Sequence, residues 1–122
     1  MAISHVQVLS VPVSDQDRAL EFYVGQLGFT LLSDQQLGPE MRWVMVSPAG
    51  GGAALTLVTW FDSMPAGSLK GLVFETDDLE AAVRDLANSG VAIGEVERAP
   101  WGRFAQLSDP DGNGLILQAT AR

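Results

Sequence analysis

The sequence predicts an α+β fold: two tandem βαβββ modules forming an open, curved mixed sheet around a cleft, with the helices outside. Three observations predict it. Short segments rich in β-branched residues alternate with two stretches of helical periodicity. The second half repeats the element order of the first. The helix-start acids Asp15 and Asp77, and the helix-stop glycines Gly28 and Gly90, each lie 62 residues apart (77 − 15 and 90 − 28), about half of the 122-residue chain.

In the first half, Val6 to Val13 reads as a strand ending at Ser14-Asp15, whose side-chain oxygens can accept the first free amides of a helix. Ala19, Leu20, Phe22, Tyr23 and Leu27 then recur at helical spacing, and Gly28 supplies the left-handed stop, so a helix is expected over about 16–26. Strands are expected at Phe29–Asp34, Met41–Ser47 and Ala53–Trp60, separated by Leu37-Gly38-Pro39 and by the Pro48 to Gly52 cluster. In the second half a strand over Gly71–Thr76 leads through Asp77-Asp78 into a helix carrying Leu79, Ala82, Val83 and Leu86 and stopped at Gly90. Ala19 maps onto Ala81 in this alignment. Strands at Val91–Arg98, Arg103–Ser108 and Gly114–Ala119 complete the repeat, with Asp109-Pro110-Asp111-Gly112 as the turn between the last two. The chain is expected to be one domain over 1–122, with module 1 at about 1–62 and module 2 at about 63–122. Neither module has the bulk to be stable alone, and pairing them makes a concave surface lined by strands.

The bulk chemistry narrows the partners. A formal charge of −8 repels phosphate backbones and anionic lipid, so neither nucleic acid nor a membrane is an expected partner. The acidity serves solubility or draws in a cationic ligand. With 47% hydrophobic and 18% charged residues the composition is globular. The absence of cysteine and of a basic, apolar leader at Met1-Ala-Ile-Ser-His5 points to the cytoplasm.

The stretch Val11-Pro-Val-Ser-Asp15-Gln-Asp-Arg-Ala-Leu-Glu-Phe-Tyr23 with Leu27-Gly28-Phe29 resembles the opening of vicinal-oxygen-chelate proteins, the glyoxalase, bleomycin-resistance and extradiol-dioxygenase superfamily. Val73-Phe-Glu-Thr-Asp77-Asp-Leu-Glu-Ala81 resembles it again, as does Asp109-Pro-Asp-Gly-Asn113 before the last strand. The resemblance covers nearly the whole chain. It implies the same two-module fold and a homodimer. Metal-using members place a His or a carboxylate on four cleft-facing strand positions, two from each module. Counted from the motifs, those positions here are Val8, Thr56, Gly71 and Ile116. Val, Gly and Ile have no donor side chain and a neutral Thr hydroxyl is a poor ligand, so no metal and no other cofactor is expected. His5, the single histidine, falls in the first strand; three residues from Val8 it faces the other way unless a bulge intervenes, and reads as a strand-edge residue before a ligand or base.

Alternation from those four positions adds Ser10, Pro12, Ala54, Val58, Trp60, Val73, Glu75, Gly114 and Gln118 to the inward face. The set is mostly apolar with few polar groups, which suits a binding pocket. Glu75 is the candidate catalytic group, because an inward carboxylate on a strand is costly unless paired; alternatively it sits at the strand end, solvated or paired with Arg42 or Arg103. Trp43, Trp60 and Trp101 can stack on a planar ligand or cover a cation, or serve core and dimer packing. Arg42 and Arg103 begin equivalent strands and can clamp an anion, or balance the fifteen acids. The linker from Phe61 to Ser68 reads as a connector, with a loop over the cleft mouth as the other reading. No nucleophile relay or phosphate loop is present. The expected function is metal-independent binding of a small molecule, an aromatic or cationic metabolite or antibiotic held by sequestration. The competing expectation is a lyase, isomerase or dioxygenase of the same fold, using Glu75 as base or a metal site formed by other residues.

Overall fold

The computed structural model describes residues 2–121. The chain divides between Ala66 and Gly67 into two compact units. In the first, β1 (Val8–Pro12) leads into a helix and then into β2 (Thr30–Gly38), β3 (Met41–Ser47) and β4 (Ala54–Val58). In the second, β5 (Leu72–Glu75) leads into a helix, β6 (Glu97–Ala99), β7 (Gly102–Ser108) and β8 (Gly114–Thr120). The βαβββ order is therefore present twice. Each unit carries a four-stranded mixed sheet, ordered β1-β4-β3-β2 and β5-β8-β7-β6, in which the first and last strands of the module pair in parallel and the others antiparallel.

Register makes the two modules comparable residue by residue. Ser10 opposes Thr56 in the first parallel pair, and Val73 opposes Ile116 in the second. The amide of Val13 closes the first ladder on the Val58 carbonyl as that of Thr76 closes the second on Gln118, both at 2.9 Å, an offset of 63 (76 − 13). The helix caps keep that offset. Asp15 accepts from the amides of Asp17 and Arg18, and its carbonyl from Ala19. Asp78 accepts from Ala81, and its carbonyl from Ala82. The equivalent pairs are thus Asp15 with Asp78 and Ala19 with Ala82, correcting Asp77 and Ala81 by one residue.

The glycine stops keep the offset of 62, with φ +77° at Gly28 and +89° at Gly90. Module 1 therefore carries one additional residue between cap and stop. It is absorbed in the helix itself: α1 (Gln16–Leu20) continues as a π-helical turn over Glu21–Gln26, where the amide of Leu27 reaches back five residues to the Phe22 carbonyl. A π turn is the form a single inserted residue takes in an α-helix. α2 (Leu79–Asn88) is regular throughout.

Other boundaries moved for local reasons. β2 runs on to Gly38 and steps out of register between Leu31 and Ser33 and between Gln36 and Gly38, bulges that suit an edge strand. Where a strand was expected over Val91–Arg98, only residues 97–99 join the ladder, with an isolated bridge from Ile93 to Leu107. Gly94 weakens the run, and its amide makes a bond of that single bridge, donating to the Gln106 carbonyl at 2.8 Å.

The cores follow from periodicity. Central strand β4 is buried along its length, and α1 and its π turn bury Ala19, Phe22 and Tyr23, with Tyr23 packed edge-on to Phe22 at 5.0 Å. In the second unit Leu79 and Leu86 of α2 are buried, as are Ala105, Leu107 and Leu115.

Candidate functional site

Opposed residues in a ladder share a face, as do residues two apart on a strand. In module 1 this sets Val8, Ser10, Thr56, Met45 and Trp43 on one face. The Ser10 and Thr56 hydroxyls lie 3.2 Å apart, and Thr56 is 1% exposed. Trp43 stacks on Trp60 with ring centroids 6.4 Å apart and planes inclined by 28°. Phe61 adds a third ring 6.0 Å from Trp60 and is itself exposed. Three aromatic rings and two paired hydroxyls thus mark this module.

Arg42, one residue before Trp43, belongs to the other face. Its Nε and Nη2 donate to both oxygens of Asp34 at 2.9 Å, and Nη1 donates to Asp17 in the first turn of α1 at 2.8 Å. Gln16 adds to the same seam, its Nε2 donating to the carbonyls of Arg42 and Leu57. The guanidinium holds the Asp34 carboxyl below its ordinary value, chiefly by hydrogen bonding, and the two carboxylates push Arg42 further toward the charged form. The structure does not bring Arg42 together with Thr56 and Trp43.

In module 2, Val73, Glu75, Ile116, Gln118, Phe104 and Gln106 share a face. Glu75, at the end of β5, takes the Thr120 hydroxyl at 2.6 Å on one oxygen and the Thr120 amide at 3.0 Å on the other. Gln118 Nε2 donates to the same hydroxyl at 3.0 Å. Glu75 and Gln118 are therefore joined through Thr120, a residue sequence reading missed although it stands two positions beyond Gln118. Arg103 lies on the opposite face and pairs with Glu80 of α2, the counterpart of the Arg42–Asp17 contact. Trp101 is 58% exposed in the turn between β6 and β7.

A hollow of about 540 Å³ in module 2 is lined by Gly71, Gly114, Ile116, Gln106 and Ser108, with Lys70 at its side. Below it the 109–113 turn is knotted around two buried polar groups. One Asp109 oxygen accepts the amides of Asp111 and Asn113, the other the Asn113 side-chain amide at 2.7 Å. The Asn113 side-chain Oδ1 accepts from the Leu69 amide at 3.0 Å. Lys70 Nζ donates to the Gly112 carbonyl, so residues 67–70, at the end of the linker, are tied to this turn.

The four positions that the resemblance marks for metal ligands offer a divalent ion no good donor. In module 1 they are Val8 and Thr56, the latter's hydroxyl already paired with Ser10; in module 2 they are Gly71, with φ +77°, and Ile116. Among the described residues no three His, Cys, Asp or Glu side chains gather in a way that could hold an ion. His5 precedes β1, correcting its expected place within the strand; it is exposed, with Nδ1 2.7 Å from the Ser4 hydroxyl. No described helix is long and apolar enough to cross a membrane.

Comparison with known proteins agrees with this architecture. Residues 2–117 match the model of the Glyoxalase/Bleomycin resistance protein/Dioxygenase superfamily. The chain is 51% identical to TnmS3, an antibiotic binding protein from Streptomyces sp. CB03234, whose crystal structure superposes with a TM-score of 0.94 over 99% of both chains. A glyoxalase/bleomycin resistance protein from the same organism is 49% identical, with a TM-score of 0.84 over 94% of this chain and 99% of that one. Uncharacterized protein YetH of Bacillus subtilis is 33% identical over 120 residues, 95% of this chain and 98% of that protein.

Proposed function

The chain belongs to the Glyoxalase/Bleomycin resistance protein/Dioxygenase superfamily, and from that membership we propose that it is a metal-independent binding protein that sequesters a small aromatic or cationic metabolite or antibiotic. The observation that carries this reading is the donor chemistry of Val8, Thr56, Gly71 and Ile116: a reaction through a coordinated substrate has no ligands there, while the fold is complete. Sequestration asks only for affinity. Within the first unit the stacked Trp43–Trp60 pair supplies flat apolar area at low entropic cost, with the Ser10 and Thr56 hydroxyls as polar atoms on the same face; within the second, Glu75 and Gln118 carry polar atoms of their own. The 51% identity to an antibiotic binding protein supports the same ligand class. We further infer that it works as a homodimer in the cytoplasm, in keeping with a chain of no cysteine.

Isothermal titration against a panel of planar aromatic and cationic small molecules, with and without EDTA, tests this reading. A one-site isotherm that the chelator leaves unchanged is expected, weakened at least tenfold by Trp43→Ala or Trp60→Ala. Stoichiometric binding of a divalent metal, or ligand affinity lost on chelation, overturns it.

A further inference from the structure

Arg98 and Arg103 oppose each other directly across the β6–β7 ladder. Like charges so placed repel, and with fifteen acids against seven bases this chain has carboxylate in excess to relieve them. Arg103 is relieved by Glu80. Arg98 is not: among the described residues it makes no hydrogen bond or ion pair, whereas Arg42 holds two carboxylates, Arg84 lies 3.8 Å from Asp85, Arg18 donates to the Ser14 hydroxyl and Lys70 to the Gly112 carbonyl. The two opposed arginines line one hollow of about 450 Å³, whose remaining wall is formed by Ala99, Gly102 and residues 119–121. Gly102 has φ +144°, and a Cβ there would lie 2.3 Å from the Ala119 carbonyl oxygen, so the wall is close-packed backbone with no side chain to fill the space from that position. Arg103 opposes Ala119, whereas Phe104 opposes Gln118, so these arginines lie on the sheet face away from Glu75 and Gln118.

We propose that this hollow is an oxyanion site, taking the phosphate or carboxylate group of a small metabolite on the forks of Arg98 and Arg103. A guanidinium presents five donors in a plane, so Arg103 can hold Glu80 and still offer donors to a ligand, while Arg98 gives none of its donors to another described residue. An oxyanion between the two removes their mutual repulsion, which the fold leaves half relieved. The Glu80 carboxylate opposes the anion, so binding is expected in the millimolar range and to weaken with salt. The site's arginines lie on the face of the second unit's sheet away from Glu75 and Gln118, with Thr120 the residue common to both places.

The experiment is an amide chemical-shift titration with inorganic phosphate, and separately with acetate, at ionic strength held constant with chloride. Saturable shifts confined to residues 98–103 and 119–121 are expected for at least one anion, and the stronger of the two identifies phosphate or carboxylate as the group. Arg98→Met should weaken binding tenfold or more with the amide spectrum otherwise preserved, Arg98→Lys should restore part of it, and Arg84→Met should change nothing. The proposal is overturned if neither anion saturates, or if Arg98→Met binds as tightly as the parent.

Discussion

Gly67 stands at φ +82°, and a Cβ there would lie 2.1 Å from the Asp111 carbonyl oxygen. Neither the backbone angle nor the approach tolerates a side chain, and the obstacle is backbone. Gly67→Ala should therefore lower unfolding free energy by about 2 kcal/mol or more, read from a urea transition. The Asp109–Asn113 knot beside it is more costly to break. Asn113 is fully buried, and truncation removes both the acceptor of the Leu69 amide and the side-chain donor to Asp109, so Asn113→Ala should cost about 2–4 kcal/mol. The sequence showed Asp-Pro-Asp-Gly-Asn as a turn but not as a buried junction, because nothing local signals that residue 69 returns to it. Arg42 was legible as a base at a strand start; its face was not assigned, although alternation forbids it from sharing one with Trp43. Its pair with Asp34 has a pH signature. The folded carboxyl lies below its ordinary value, so the pair stabilises above the unfolded value of 3.8 and is lost as pH falls through the folded one. Arg42→Met should flatten the acid limb of the stability curve below about pH 4 and leave the neutral slope unchanged.

At the scale of elements, strand and helix periodicity were written plainly in the sequence, and the βαβββ order followed. What sequence spacing concealed was the one-residue difference between the two helices. Asp77 and Asp78 are both acids, so either could serve as the cap, and only hydrogen bonding separates them. The consequence is measurable. Asp15→Ala and Asp78→Ala should each cost about 1 kcal/mol, as loss of an N-cap does, while Asp77→Ala should stay within about 0.5 kcal/mol of the parent. Equal costs at Asp77 and Asp78 would refute the corrected alignment. The two modules also share a device that sequence did not reveal: an arginine on the strand after the first hairpin, Arg42 or Arg103, reaches the first turn of its own module's helix, at Asp17 or Glu80. The repeat extends from element order to the ion pair that fastens helix to sheet.

For the whole molecule, the apolar surface left exposed within each unit bears on assembly. Leu31, Leu32, Leu37 and Met41 on or beside the bulged edge strand β2 are between 38% and 58% exposed, Leu9 on edge strand β1 is 37% exposed, and Val73 on edge strand β5 is 47% exposed. Single exposed leucines are ordinary, but several on the edges of sheets are what associating chains cover, and unpaired edges invite pairing. A net charge of −8 opposes indiscriminate aggregation, which leaves a closed, specific assembly as the way to bury them. Homodimerisation is accordingly expected, with sedimentation velocity giving a mass twice the 13.0 kDa of the chain at micromolar concentration. If the interface contributes to stability, mass action requires the thermal midpoint to rise with protein concentration. A single 13.0 kDa species whose midpoint is independent of concentration would exclude the dimer while leaving the ligand reading untouched, because the two rest on different residues.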